Sequence, residues 1–242
     1  MHKEKIQQCF DKSYNTYDQY SYPQQMIGSH LIEKLVNFEK SANSIIDLGC
    51  GTGLVTKNLA DLFAYQDFTA IDLSDALISK ARDRFQSYKI TCLQQDFEDI
   101  NLPASSQDLV FSNMALHWSS DFSKMFYSIN KMLKTGGLIA FTIPTQGTFQ
   151  ELQGSKNDFL NIPDVISKIN AACFDIIECS EGNLKIGFND WKSALKSIKA
   201  TGANYLFNKE RRSLRKVLSF PGNPSLTYVT GYFIARKLSN VS

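Results

Sequence analysis

The sequence predicts an α/β chain in which a largely parallel sheet is doubly wound, with helices on both faces. Two observations predict it. The stretch Ile45-Ile46-Asp47-Leu48-Gly49-Cys50-Gly51-Thr52-Gly53 runs from a short β-branched strand into a glycine-rich turn and then into an amphipathic helix. From residue 44 to residue 143, strand and helix patterns then alternate, as they do where parallel strands are joined by helical crossovers. The 242 residues, 43% hydrophobic and 21% charged, suit one ordered domain rather than a disordered or low-complexity chain.

Ahead of the first strand, residues 3–22 carry Phe10, Tyr14, Tyr17, Tyr20 and Tyr22, with Tyr14 and Tyr17 at helical spacing. Aromatics so spaced pack a helix, but four tyrosines flanked by acids suit a wetter surface than a core. Pro23 opens a second helix with Ile27, Leu31, Leu35 and Phe38 on one face, and a loop at Ser41–Asn43 leads into the strand at Ser44. The helix after the glycine turn shows Leu54, Val55, Leu59, Leu62 and Phe63 on one stripe.

Phe68–Ile71 reads as the second strand, ending at Asp72, and Ser74 or Asp75 caps a helix to about Gln86. The third strand, Ile90–Leu93, reaches Gln95-Asp96-Phe97, and the fourth, Leu109–Ser112, ends in Asn113-Met114-Ala115-Leu116-His117-Trp118. Ser120 or Asp121 caps the next helix, and Lys134–Gly137 turns into the fifth strand, Leu138–Ile143. Residues 144–182 read as a helical insertion rather than a second domain. A strand at Leu184–Phe188, a helix from Asp190 to about Lys199 and an apolar strand at Leu226–Ala235 complete the chain.

A glycine turn at a helix N-terminus is an anion cradle, so a dinucleotide is the first ligand to weigh. The spacing argues against it, because Leu54 stands where the third glycine of that fingerprint belongs and Asp47 would repel a pyrophosphate. A cationic nucleoside without phosphates fits better. Gly53 and Asp72 are 19 residues apart, close to the ~20 at which an acid meets a ribose in nucleotide-binding βαβ units.

Cys9, Cys50, Cys92, Cys173 and Cys179 are scattered, and His2, His30 and His117 add no cluster of metal-ligand spacing. Neither a disulfide framework nor a metal is expected, and Cys50 reads as a small filler. No apolar run suits a membrane span or signal peptide, so a soluble, cytoplasmic protein is expected. Charge is uneven: residues 191–216 hold eight bases against Glu210, a net of +7 in a chain whose total is +2. That footprint suits an anionic partner: nucleic acid is one candidate, though interleaved stacking aromatics are not evident, and an acidic carrier protein is another.

Asp47-Leu48-Gly49-Cys50-Gly51-Thr52-Gly53 resembles motif I of the class I S-adenosylmethionine-dependent methyltransferases. Further stretches are similar to the malonyl-acyl-carrier-protein O-methyltransferase family of biotin synthesis. They are Phe10-Asp11-Lys12-Ser13 with Tyr14, Tyr17 and Asp18, then Ser112 to Trp118, Ala200-Thr201-Gly202-Ala203-Asn204, Leu226-Thr227-Tyr228, and Ile234-Ala235-Arg236-Lys237. His117 and Thr135 depart from it, standing where the family usually has Gln and Pro.

The resemblance implies one Rossmann-like domain over 1–242, with a seven-stranded, mostly parallel sheet whose last strand is antiparallel. Residues 1–40 would form a helical lid, 44–143 the cofactor-binding core, and 183–242 the C-terminal strands and basic loop. It implies S-adenosylmethionine held by Asp47, Gly49, Cys50, Gly51, Gly53, Asp72, Leu73, Asp96, Phe97 and Asn113. Asp72 would take the ribose, Asp96 the adenine amino group, and the Phe97 amide a ring nitrogen.

The implied reaction methylates the free carboxylate of malonyl on its carrier, with the carrier docked on 192–216. Tyr14, Tyr17, His117, Trp118, Arg211 and Arg212 would position that substrate. A carboxylate is ionised at neutral pH and needs no general base, so none is assigned; His117, by its residue type able to act as a base, equally suits packing beside Trp118. Methylation of another small carboxylic acid, or a cofactor-binding assembly role without methyl transfer, are the rival expectations.

Overall fold

The computed structural model describes residues 2–152, 159–203 and 224–239. Seven strands form one sheet in the order β3-β2-β1-β4-β5-β7-β6. They are β1 (Ser41–Leu48), β2 (Ala64–Asp72), β3 (Ile90–Gln94), β4 (Gln107–Asn113), β5 (Leu133–Pro144), β6 (Phe174–Gly187) and β7 (Ser225–Lys237). Only β7 runs antiparallel to its neighbours, β5 and β6.

Alternation along the central strands divides the core in two, because successive side chains leave a strand on opposite faces. Ile45, Phe68, Leu109 and Phe111 pack under α3 (Tyr22–Leu35), α4 (Leu54–Leu62) and α8 (Trp191–Ala200). On the other face Ile46, Val110, Phe141 and Phe233 pack under α6 (Phe122–Met132) and α7 (Ile162–Ala171). Four side chains cap α-helices among the described residues: Ser74 for α5 (Asp75–Arg84), Asp121 for α6, Asn161 for α7 and Asp190 for α8. Among the described residues no helix is long and apolar enough to cross a membrane.

Three expectations are corrected. Residues 144–182 are not helical throughout: α7 covers Ile162–Ala171, and from Phe174 the chain is strand β6, paired along its length with β7. The ten strand residues missed, 174–183, mix Phe174, Ile176 and Ile177 with Asp175, Glu178, Ser180 and Glu181 and offer no long apolar run. The segment expected as a loop at Ser41–Asn43 already pairs with β2, and Leu62, expected on the buried stripe of α4, is 60% exposed.

The order of strands reverses between β1 and β4. In an open α/β sheet that switch point opens a crevice beyond the carboxyl ends of the strands. The glycine turn leaves β1 there, and Asn113–Trp118 leaves β4 there.

Candidate active site

Gly49, Gly51 and Gly53 take φ of +83°, +57° and +78°, so the turn bends through conformations that side chains resist. At Gly51 the missing Cβ matters twice, because a Cβ there would lie 3.2 Å from the Tyr17 hydroxyl. Cys50 is half-buried beside this turn, and burial pushes its thiol well above the ordinary range, which leaves it a small neutral filler.

Asp47 lies at the end of β1 and is 2% exposed. Its Oδ2 accepts from Thr56 Oγ1 at 2.6 Å, while Oδ1 is buried with no partner among the described residues. Burial pushes its pKa up to about 7 despite the Thr56 bond, and Asp72 adds to the rise. Asp72, ending β2, accepts the amides of Gly51 and Ser74 at 2.8 Å each. Burial still raises it to about 6. Helix capping falls to Ser74, whose hydroxyl accepts from the Leu77 amide and also donates to Asp11 at 2.5 Å.

The first helices, α1 (His2–Asp11) and α2 (Tyr17–Tyr20), lie over this turn. Asp18 holds Thr52 Oγ1 at 2.6 Å and Arg84 at 2.9 Å, and Arg84 also donates to the Thr52 carbonyl. Lys3 pairs with Asp96 at 2.5 Å and Glu98 at 2.6 Å. Burial works against the Glu98 carboxylate, but Lys3, Ser119 and Ser120 hold it at about 2. At the other side Thr16 Oγ1 donates to the Ala200 carbonyl at 2.9 Å, 184 residues along the chain, and Phe10 presses on Gly202 so closely that a Cβ there would lie 2.7 Å from its ring. The lid stretch and the Ala200–Ala203 turn, singled out separately in the sequence, therefore meet.

Tyr17 borders three small cavities. The first, about 30 Å³, is lined by Asp47, Gly49, Leu54, Val55, Gln24 and Asn113 among others. A second, about 70 Å³, lies beyond β2 against Ile6, Asp72, Leu73, Leu77 and Phe97. The third, about 50 Å³, is an aromatic chamber that includes Phe10, His117, Trp118, Phe149, Phe159 and Tyr228. Burial and nearby Asp72 raise the Tyr17 phenol above its usual range, so it remains a hydrogen-bond donor.

Two expected site residues stand elsewhere. Tyr14 is 36% exposed under the Lys80 ammonium, which sits 4.6 Å from its ring centroid, because the turn between α1 and α2 aims only Tyr17 at the glycines. Asp96 lines none of these three cavities: it caps its own turn through the Glu98 amide at 2.9 Å and its other oxygen pairs with Lys3. Phe97 and Leu73 do line the second cavity.

Asn113 Oδ1 accepts from Thr142 and its Nδ2 donates to the Gln24 carbonyl at 2.9 Å, which ties β4 and β5 to the start of α3. His117 stacks obliquely on Trp118, with centroids 4.8 Å apart, and Trp118 meets Phe10 edge-on at 5.6 Å. Burial lowers the His117 pKa to about 3, so the ring is neutral and too weakly basic for the general-base role weighed from sequence. Arg211 and Arg212 lie outside the described residues, as does the basic stretch beyond Ala203.

Sequence reasoning missed Gln24, Phe149 and Tyr228. Gln24 carried a signal, a polar residue at the start of an apolar helix; Tyr228 was singled out only within the family-like stretch Leu226–Tyr228, without a place in the site, and Phe149 had no local signature. Among the described residues no group of three or more His, Cys, Asp or Glu is placed to hold a metal ion.

The turn fits a sulfonium nucleoside bearing an ammonium group: an orphaned carboxylate oxygen, a backbone cradle without Cβ atoms and a strand-end acid stand together. Comparisons with known proteins agree. A family model described as a methyltransferase domain matches residues 46–141. Two solved structures share the fold at low identity. YcgJ from Bacillus subtilis has a TM-score of 0.65 at 14% identity, covering 88% of this chain and 100% of its own. An S-adenosylmethionine-dependent methyltransferase from Mesorhizobium loti has a TM-score of 0.58 at 18%, covering 90% and 98%. The malonyl-[acyl-carrier protein] O-methyltransferase of Legionella pneumophila is 28% identical over 220 residues, 86% of this chain and 77% of its own. Malonyl-[acyl-carrier protein] O-methyltransferase 2 of Coxiella burnetii is 33% identical over 240 residues, 98% of this chain and 97% of its own. With that similarity running nearly end to end, the chain belongs to the malonyl-[acyl-carrier protein] O-methyltransferase family.

Proposed function

We propose that the chain methylates the free carboxylate of a malonyl group carried on acyl carrier protein, forming the methyl ester that starts pimeloyl synthesis for biotin. S-adenosylmethionine, when bound, supplies an electrophilic methyl group on a sulfonium. The observation that carries the reading is that the glycine-turn cavities and the aromatic chamber adjoin, with Tyr17 lining all three. Such an arrangement sets a charged donor beside a charged acceptor, where alignment and water exclusion lower the barrier.

In this reading Asp47 accepts from the ammonium, Asp72 from the ribose hydroxyls, and Leu73 and Phe97 flank the adenine. Asp96 reaches the adenine amino group only if Lys3 shares it. The protonated Tyr17 phenol and Arg211 or Arg212 orient the malonyl carboxylate, while His117 and Trp118 wall the chamber. No side chain has to move a proton, which suits a site whose one histidine is neutral. Lys192, Lys196 and Lys199 recur along the exposed face of α8, which suits an acidic carrier, and the bases of 209–216 add to that charge in the sequence. The cytoplasm suits the reaction and the five free cysteines.

The test is methyl transfer from labelled S-adenosylmethionine to malonyl carrier protein, with free malonate and unacylated carrier beside it. Label on the malonyl carrier alone is expected. Label on free malonate with equal efficiency would replace the carrier with a small acid as substrate, and cofactor binding without any transfer would point to the non-methylating role.

A further inference from the structure

The first cavity contains a chemical imbalance. Asp47 Oδ1 and Gln24 Oε1 are both buried, both line it, and neither has a hydrogen-bond partner among the described residues. No lining residue carries a positive charge, Arg84 at the turn is committed to Asp18 and the Thr52 carbonyl, and Lys57 is committed to Asp61. Two buried acceptors around one small cavity are costly without donors, and an ammonium, with three N–H groups, is able to serve both at once.

Gln24 is held there firmly. It stands in the first turn of α3, its backbone carbonyl accepts from Asn113 Nδ2 at 2.9 Å, and one turn on, Gly28 lets the helix close on α4. A Cβ at Gly28 would lie 2.5 Å from Val55 Cγ1 and 3.0 Å from Asn113 Nδ2. The carboxamide also lines the aromatic chamber, so one side chain faces both the amino-acid end of the cofactor and the substrate.

We propose that Gln24 is a positioning residue whose carboxamide oxygen, together with Asp47 Oδ1, seats the α-ammonium of the cofactor and thereby sets where its amino-acid arm ends and the substrate chamber begins. The proposal rests on the S-adenosylmethionine reading of the site. It makes Gln24 matter for the ammonium and for nothing else in the nucleoside.

Direct binding tests this without turnover. S-adenosylhomocysteine carries the ammonium; 5′-methylthioadenosine shares the nucleoside and sulfur but lacks the amino-acid arm. Gln24→Met, close to isosteric but without an acceptor, should weaken S-adenosylhomocysteine by about tenfold or more while leaving methylthioadenosine within about twofold. Gln24→Glu, which keeps an acceptor, should restore most of the loss at neutral pH or above. Gln24→Ala repeats the comparison should the methionine distort the helix, and retained methylthioadenosine binding reports an intact fold. Unchanged S-adenosylhomocysteine affinity in the Met and Ala variants, or equal loss of both ligands, would overturn the Gln24 assignment alone. Wild-type protein that binds neither ligand would overturn the cofactor reading with it.

Discussion

Binding of S-adenosylhomocysteine to this chain should release a proton and weaken steeply in mild acid. Asp47 is the cause. In the free protein burial holds its pKa at about 7, so near neutrality the carboxyl is close to half protonated. An ammonium against Oδ1 favours the ionised form, and the site must lose its proton to accept the ligand. If the complex returns Asp47 to the ordinary carboxylate range, apparent affinity falls by about tenfold at pH ~6 and about a hundredfold at pH ~5, relative to alkaline solution. Asp72, raised to about 6, steepens the acid limb further. Calorimetry in two buffers of different ionisation heat should show about half a proton released at pH ~7 and nearly one at pH ~6. Asp47→Asn should bind more weakly but lose most of this slope. Affinity constant between pH ~8 and pH ~6, or an Asn variant with the parental slope, would refute the reasoning. The linkage carries a sign for stability as well. Both folded pKa values lie above the unfolded ones, so the free protein binds more protons than its unfolded chain and loses stability as pH rises from about 4 to about 7.

Gly53→Ala forces a side chain into φ +78° and puts its Cβ 2.5 Å from Phe85 Cζ, so it should cost about 2–4 kcal/mol in urea unfolding; a loss below about 1 would mean the turn yields easily. Lys3→Ala removes the contact between α1 and the carboxylates of Asp96 and Glu98. Because Lys3 is 36% exposed, S-adenosylhomocysteine should dissociate only about two- to fivefold faster by stopped flow, and the difference should shrink in high salt. Arg211→Ala with Arg212→Ala should raise KM for malonyl carrier protein by about tenfold or more while S-adenosylhomocysteine binding stays parental; methylation at the parental rate would remove both arginines from the carboxylate.

Much of the core was legible because its causes are local. A β-branched run, three glycines and an amphipathic stripe specify strand, turn and helix within residues 45–63, and the strand-end position of Asp72 follows from spacing alone. Capping near Ser74 and Asp121 was legible for the same reason, the structure choosing them over Asp75 and Ser120, whereas Asp190, read as the first helical residue, is the cap of α8. Strand β6 was half hidden, since an edge strand with one wet face needs only alternation and not an apolar run.

The sequence by itself determined the parallel core, the ligand-bearing turn and a family resemblance that spans both lid and tail. Only the tertiary structure decided which residues share the site. Tyr14 and Tyr17 are equivalent in the sequence, yet one lies under Lys80 and the other on Gly51. Asp96 could not be seen to face Lys3, nor Gln24 to share a cavity with Asp47, because contacts between segments tens of residues apart leave no trace in local pattern. His117 and Asp47 also owe their perturbed protonation to burial, a property of how distant elements close around a side chain rather than of the side chain's neighbours in sequence.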